Sequence, residues 1–227
     1  MLRDWIKTEE YFEKYISYQK ERIRKFTEAL SQSDEKDSSR IIQCNMFLAN
    51  YYKDLFVAEY SYGAMQEELT SIFLKYTEVL KVAGIRSYSD MVDLLSIGIL
   101  LDCQIDKDWL SEVKQFDDAL TINLKRVLNK ENVREHSDSG ELKYPKYYKI
   151  FLDYLYNKIT LPQLEDYVLN EWYKESSELS WYDSHLSKEN VFVGYWCWVA
   201  AAVVKGKGET VGVSKYIPNL SDIGNVK

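Results

Sequence analysis

Proline and glycine are scarce in this chain: three and nine among 227 residues, where average usage gives ~27 together. With so few turn-formers there are few turns, and long helices are the architecture that needs fewest of them. Histidine is scarcer still. His136 and His185 are the only two, which argues against a histidine-built metal site or triad. Cysteine is limited to Cys44, Cys103 and Cys197, odd in number and without CxxC spacing. They read as reduced thiols of a cytosolic protein. The longest run without a polar side chain, Val191 to Val204, has fourteen residues, short of the about 17–25 that cross a bilayer. The opening MLRDWIKTEEYFEKY has no apolar core of the kind a secretory signal carries, so a cytoplasmic protein without membrane attachment is expected. An excess of basic residues is missing too. The 29 Lys and Arg against 36 Asp and Glu leave a net charge of −7, which disfavours nucleic-acid binding and suits a basic partner.

What is present in quantity is aromatic. Nineteen tyrosines fit a tyrosine-rich core or an interface, since the ring packs while the hydroxyl finds a partner. The run NVFVGYWCWVAAAVV, Asn190 to Val204, is too long for a buried strand of about 4–8 residues. Its Ala200-Ala201-Ala202 centre favours helix. It reads as a helix apolar all round, buried on every side, with Tyr195, Trp196 and Ala201 as core. Asn190 would cap its start and Gly206 would mark its exit.

Other segments show helical periodicity. A first helix is expected over Arg3–Leu30, followed by the polar loop Ser31–Ser39. From Leu48 to Ala83 apolar residues recur at gaps of three and four, a seam running past Gly63, where the chain kinks or another backbone comes close. Further helices are expected over Asp90–Asp102 behind a Ser89 cap, from Asp106 or Lys107 to Asn129, over Tyr147–Tyr156, and from Thr160 to about Glu175, where Pro162 sits in the first turn. The expectation is an all-α fold of seven or eight helices in two halves packed around the buried 191–204 helix. The polar stretch after Asn129 suggests domains 1–130 and 143–227 joined by a linker 131–142.

No stretch assembles a catalytic, metal or cofactor set. Gly206-Lys207-Gly208-Glu209-Thr210 lacks the spacing of a phosphate loop and follows a helix. Ser184 and His185 are chain neighbours, which rarely face each other as nucleophile and base. Acidic residues do cluster. Residues 87–118 hold eight acids against two lysines, and residues 165–189 hold seven against two. They are either solvated helix faces or a docking surface. The candidate partner-binding residues are Asp102, Asp106, Asp108 and Glu112 in the first stretch. In the second they are Glu171, Glu175, Glu178 and Asp183, together with the aromatics Tyr173, Trp181 and Tyr182.

Several stretches taken together resemble a known family. GYWCWVAAA at 194–202, WYDSH at 181–185 and Trp172-Tyr173 resemble the C-terminal part of PoNi-like immunity proteins, which neutralise polymorphic-toxin DNases. LANYYKDLFVAEYSYG at 48–63 is similar to the N-terminal part, and Lys215-Tyr216-Ile217-Pro218-Asn219-Leu220 to its ending. Val199 and Asn219 stand where the family carries acids. The resemblance implies an all-helical, non-enzymatic protein that binds a cognate nuclease toxin inside the producing bacterial cell and blocks its DNA site. An acidic surface acting as phosphate mimic would serve that role. The reading from a different class is a helical scaffold or adaptor without a toxin partner.

Overall fold

The computed structural model describes residues 1–32, 38–135, 141–212 and 214–219. Among these the protein is all-helical, with nine helices and no strand. Contacts divide the chain into two compact units, one of residues 1–85 with 184–194, the other of residues 86–183 with 195–227. The expected linker at 131–142 thus falls within the second unit, its residues 136–140, His136 included, lying outside the described residues.

The first unit is built on α1 (Glu9–Ser31), α2 (Ser38–Tyr62) and α3 (Gln66–Ala83), with α2 packed against both others. Helix α1 starts later than the stripe of apolar residues suggests. The Thr8 hydroxyl caps it by accepting the Tyr11 N–H. Upstream, the Asp4 carboxylate accepts the N–H groups of Ile6 and Lys7 at 2.8 Å each. This side-chain turn competes with helix for the same donors. The Arg3 and Asp4 N–H groups donate instead to the Ser61 carbonyl.

The expected continuous seam from Leu48 to Ala83 is two helices folded back on each other. Gly63 has φ 109°, a conformation other residues rarely adopt. A Cβ there would stand 2.1 Å from the Met1 carbonyl oxygen. Of the two expectations for Gly63, the close backbone approach is realised.

In the second unit lie α4 (Tyr88–Leu100), α5 (Lys107–Glu112), α6 (Ala119–Leu128), α7 (Pro145–Leu155), α8 and α9 (Trp198–Gly206). Helix α8 runs over 161–175 as Leu161–Tyr167, a wider π-type turn Val168–Trp172, and Tyr173–Glu175. A reciprocal Thr160–Gln163 capping box starts it. Helix α9 is buried throughout from Trp198 to Val204 and packs on α4, α6 and α7. Helix α4 is nearly as enclosed, with ten of thirteen residues buried.

The apolar run is therefore helical only in its second half, a correction to the expected helix over 191–204. Residues 191–197 form neither helix nor strand. Gly194 has φ 118°, outside the helical region. The backbone groups of the stretch are bonded individually. In the first unit Tyr11 donates its hydroxyl to the Phe192 carbonyl at 2.8 Å, and Ser61 its hydroxyl to the Val193 carbonyl at 2.6 Å. In the second, the Cys197 N–H reaches the Tyr216 carbonyl at 2.7 Å. Burial pushes the Cys197 thiol far up, which keeps it an inert core group.

A second correction concerns the helix expected from 106 to 129, which is α5 and α6. Asp118 separates them. It is fully buried and caps α6, one oxygen accepting the N–H groups of Leu120 and Thr121 at 3.0 Å. Its other oxygen accepts the Tyr88 hydroxyl at 2.7 Å and the Lys143 N–H at 3.0 Å. One carboxylate thus ties α4, α6 and the approach to α7. No helix among the described residues is long and apolar enough to cross a membrane.

Two stability outcomes follow, one from the buried Asp118 and one from the half-buried Asp54. Asp118→Ala removes a cap and leaves two buried donors unmatched, and should cost roughly 3–5 kcal/mol in urea denaturation. A loss under about 1 kcal/mol would show that water replaces the carboxylate. In the first unit, burial pushes the Asp54 carboxyl from 3.8 to about 6, against the opposing pull of Lys53 and Arg22. A raised acid favours the protonated folded state, so its contribution to stability falls as pH rises from about 4 to about 6. Asp54→Asn should be more stable than wild type at pH 7, by about 1–2 kcal/mol, with the gap closing towards pH 4. Equal melting temperatures for the two proteins at pH 7 would contradict this.

Candidate functional site

All the residues singled out as partner-binding belong to the second unit. The acids differ in what they already do there. Asp117 pairs with Lys125 at 2.6 Å, and Asp118 is the buried cap described above. Asp106 caps α5, accepting the N–H groups of Asp108 and Trp109 at 3.1 and 3.2 Å. Asp102, left-handed at φ 54°, pairs with Lys205 at 2.6 Å. Asp106, Asp108 and Glu112 stand exposed around the short helix α5. Against these three acids α5 itself carries one lysine, Lys107, and Lys125 Nζ reaches the Leu110 carbonyl at 3.0 Å.

The second acidic stretch is more committed to internal bonds. Glu171 pairs with Lys174 at 3.4 Å, one turn apart on α8. Glu175 accepts the Tyr167 hydroxyl at 2.8 Å. Glu178 accepts from Lys146 and Tyr147, bonds that hold its carboxyl below the usual range. Asp183 accepts the Tyr173 hydroxyl at 2.7 Å. Burial, then that bond, keeps the Tyr173 phenol protonated well above its ordinary value. Exposed pairs such as Glu171–Lys174 contribute at most about 1 kcal/mol each. The negative potential of this surface is therefore already partly neutralised.

The aromatic candidates are half-buried in a ring cluster. Trp181 stacks on Trp172 with centroids 5.4 Å apart and lies 5.5 Å from Tyr195. Tyr173 lies parallel to Tyr216 at 5.8 Å, and 4.6 and 5.0 Å from Tyr182 and Tyr195. The π-type turn, in which the backbone takes up one extra residue, leads directly into Trp172 and Tyr173. Segments far apart in the chain thus meet here, and Trp172, Tyr195 and Tyr216 join as members that spacing did not single out. Of the residues expected in the core, Tyr195, Trp196 and Ala201 are buried, as is Val199 at 6 % exposure. An acid at position 199 would need a buried partner.

Asp102 and Asp106 border a cavity of about 790 Å³, with the last turns of α4, α6 and α9 as its walls. Sequence periodicity gave no sign of it, because helix ends converge only through tertiary packing. Among the described residues no group of three or more His, Cys, Asp and Glu could hold a metal ion. Gly206-Lys207-Gly208 is a helix exit, its Glu209 N–H returning to the Val204 carbonyl at 3.1 Å.

Two family models match the chain in order. The model for the N-terminal part of PoNe immunity proteins (PoNi) matches residues 3–113. The model for the C-terminal part matches residues 116–208. No curated protein and no solved structure matches.

The ring cluster generates a test of what its members are for. Trp181→Ala should lower stability by about 2 kcal/mol, less than a fully enclosed tryptophan because it is half-buried. It should also red-shift the fluorescence of the remaining tryptophans. An unchanged melt combined with lost partner binding would make Trp181 an interface anchor instead.

Proposed function

The chain belongs to the family of PoNe immunity proteins, and on that premise we propose that it neutralises a nuclease toxin by covering the toxin's basic DNA-binding face. The observation that carries the reading is the family match, which takes in both parts of the chain in order. The charge supports it, since an excess of seven acids suits a partner that must itself be basic to hold DNA. The placement of the acids narrows the surface. Asp106, Asp108 and Glu112 are exposed and close together in sequence, Asp106 also capping α5, whereas Glu175, Glu178 and Asp183 accept side-chain bonds from Tyr167, Lys146 and Tyr173. The primary contact in this reading is the Asp102–Glu112 segment, with the Glu171–Asp183 segment and its rings as flank. Inhibition is steric and electrostatic, and no bond in either protein is made or broken.

Asp108→Lys with Glu112→Lys should slow association with the toxin and flatten its salt dependence, because rim charges act mainly on encounter. Extending the reversal to Asp106 should abolish protection of cells expressing the toxin while leaving the helical circular dichroism in place. The α5 cap lost with Asp106 affects a helix of only six residues. Full survival of those cells would place the contact elsewhere on the molecule.

A further inference from the structure

Resting on the reading that the ring cluster flanks the toxin contact, we infer that Tyr216 of the C-terminal tail is the positioning residue for the rings that meet the partner. The cluster is graded from inside to outside. Tyr195 and Tyr216 are each 5 % exposed, out of reach of another protein, whereas Trp172, Tyr173, Trp181 and Tyr182 are half-buried. A partner therefore meets the second set, and the first set acts through it.

Tyr216 lies against both aromatic residues of α8. Its ring is parallel to that of Tyr173 within 3° at 5.8 Å, and tilted against Trp172 at 5.5 Å. Each of these two leads outward. Trp172 stacks on Trp181 at 5.4 Å, and Tyr173 lies 4.6 Å from Tyr182. Trp181 and Tyr182 stand in turns outside regular helix, so their directions are set by what they lean on rather than by a hydrogen-bond ladder. An aromatic side chain on a helix has two χ1 wells open to it, and a neighbouring ring closes one by filling its space. For Trp172 and Tyr173 that neighbour is Tyr216.

The tail itself is held by the core. Residues 214–219 form no helix, yet Tyr216, Ile217 and Pro218 are buried in succession. The Tyr216 carbonyl accepts the Cys197 N–H at 2.7 Å. Cys197 stands at the start of α9, where N–H groups have no helical acceptor, so the helix cannot replace this bond. Pro218 disfavours helix at Ile217, which narrows the paths by which the tail reaches it. The buried helix thus fixes Tyr216, and Tyr216 fixes the rings. Rings already ordered spare the complex a loss of side-chain freedom, which lowers affinity by roughly two- to tenfold for each side chain frozen.

The test uses the full-length chain and the nuclease encoded in the neighbouring reading frame, catalytically inactivated. Tyr216→Leu keeps an apolar side chain and removes the ring, whereas Tyr216→Phe keeps the ring. Two quantities are read. One is affinity for the nuclease. The other is the circular-dichroism couplet of the stacked Trp172–Trp181 pair, assigned by its loss in Trp181→Phe. Tyr216→Leu should bind roughly tenfold more weakly and lose the couplet with its helical signal intact. Tyr216→Phe should match wild type in both. Tyr216→Met, whose flexible chain fills irregular space, should behave as Tyr216→Leu and is read in its place if that variant does not fold. Suppose wild type binds. Then equal binding by Tyr216→Leu, weak binding with the couplet unchanged, or a Tyr216→Phe as weak as Tyr216→Leu each refutes the positioning role and leaves the immunity reading standing. Failure of both Tyr216→Leu and Tyr216→Met to fold would make Tyr216 a core residue alone and overturn the role as well. If wild type does not bind the nuclease, the immunity reading falls, and the role of Tyr216 in recognition falls with it.

Discussion

A buried carbonyl or N–H left without a partner costs as much as several good apolar contacts contribute, and this requirement shapes the fold. The most apolar stretch of the chain, 191–204, is where the demand is greatest. Its second half answers with helix, so that α9 lies wholly buried among α4, α6 and α7. Its first half is irregular and relies on outside donors, the hydroxyls of Tyr11 and Ser61. Those two side chains are placed by α1 and α2, so the first unit's geometry and the path of residues 192–193 are one problem. Asp118 is the counterpart in the second unit, a buried acceptor that only makes sense with all its donors present.

Which parts of this were legible beforehand follows from the kind of force involved. Helix α7, the Thr160 start of α8 and the overall all-helical class rest on local periodicity and capping, and sequence carries both. The breaks do not announce themselves. Trp109, Val113, Phe116 and Leu120 keep helical spacing straight through the gap between α5 and α6, and Asp118 reads as one more solvated acid until Tyr88 and Lys143 are seen to converge on it. Gly194 hides within an apolar run whose alanines speak for helix. The acids of the candidate surface were visible as a charge excess. Their division into outward groups around α5 and internally bonded groups around Tyr173 depends on contacts between distant segments. The aromatic cluster shows the same limit, since Tyr216 lies 43 positions beyond Tyr173 in the chain.

The arrangement of charge also separates two ways of being acidic. Around Glu171–Asp183 carboxylates are matched by lysines and tyrosine hydroxyls, so the field there is short-ranged. Around α5, Asp106 caps the helix and Asp102 pairs with Lys205, while Asp108 and Glu112 stand exposed. Exposed charge of the second kind acts at long range, before contact.

The return of residues 184–194 to the first unit has an evolutionary consequence. The two family models meet near residue 114, yet the first unit is completed only by a segment from the far side of that junction. Recombination there would exchange most of one unit while separating Tyr11 and Ser61 from the carbonyls of Phe192 and Val193 that they serve. Modular shuffling of halves between relatives is thus penalised by the fold itself. A viable exchange at that junction would have to bring a 184–194 segment that still fits the surface of residues 1–85.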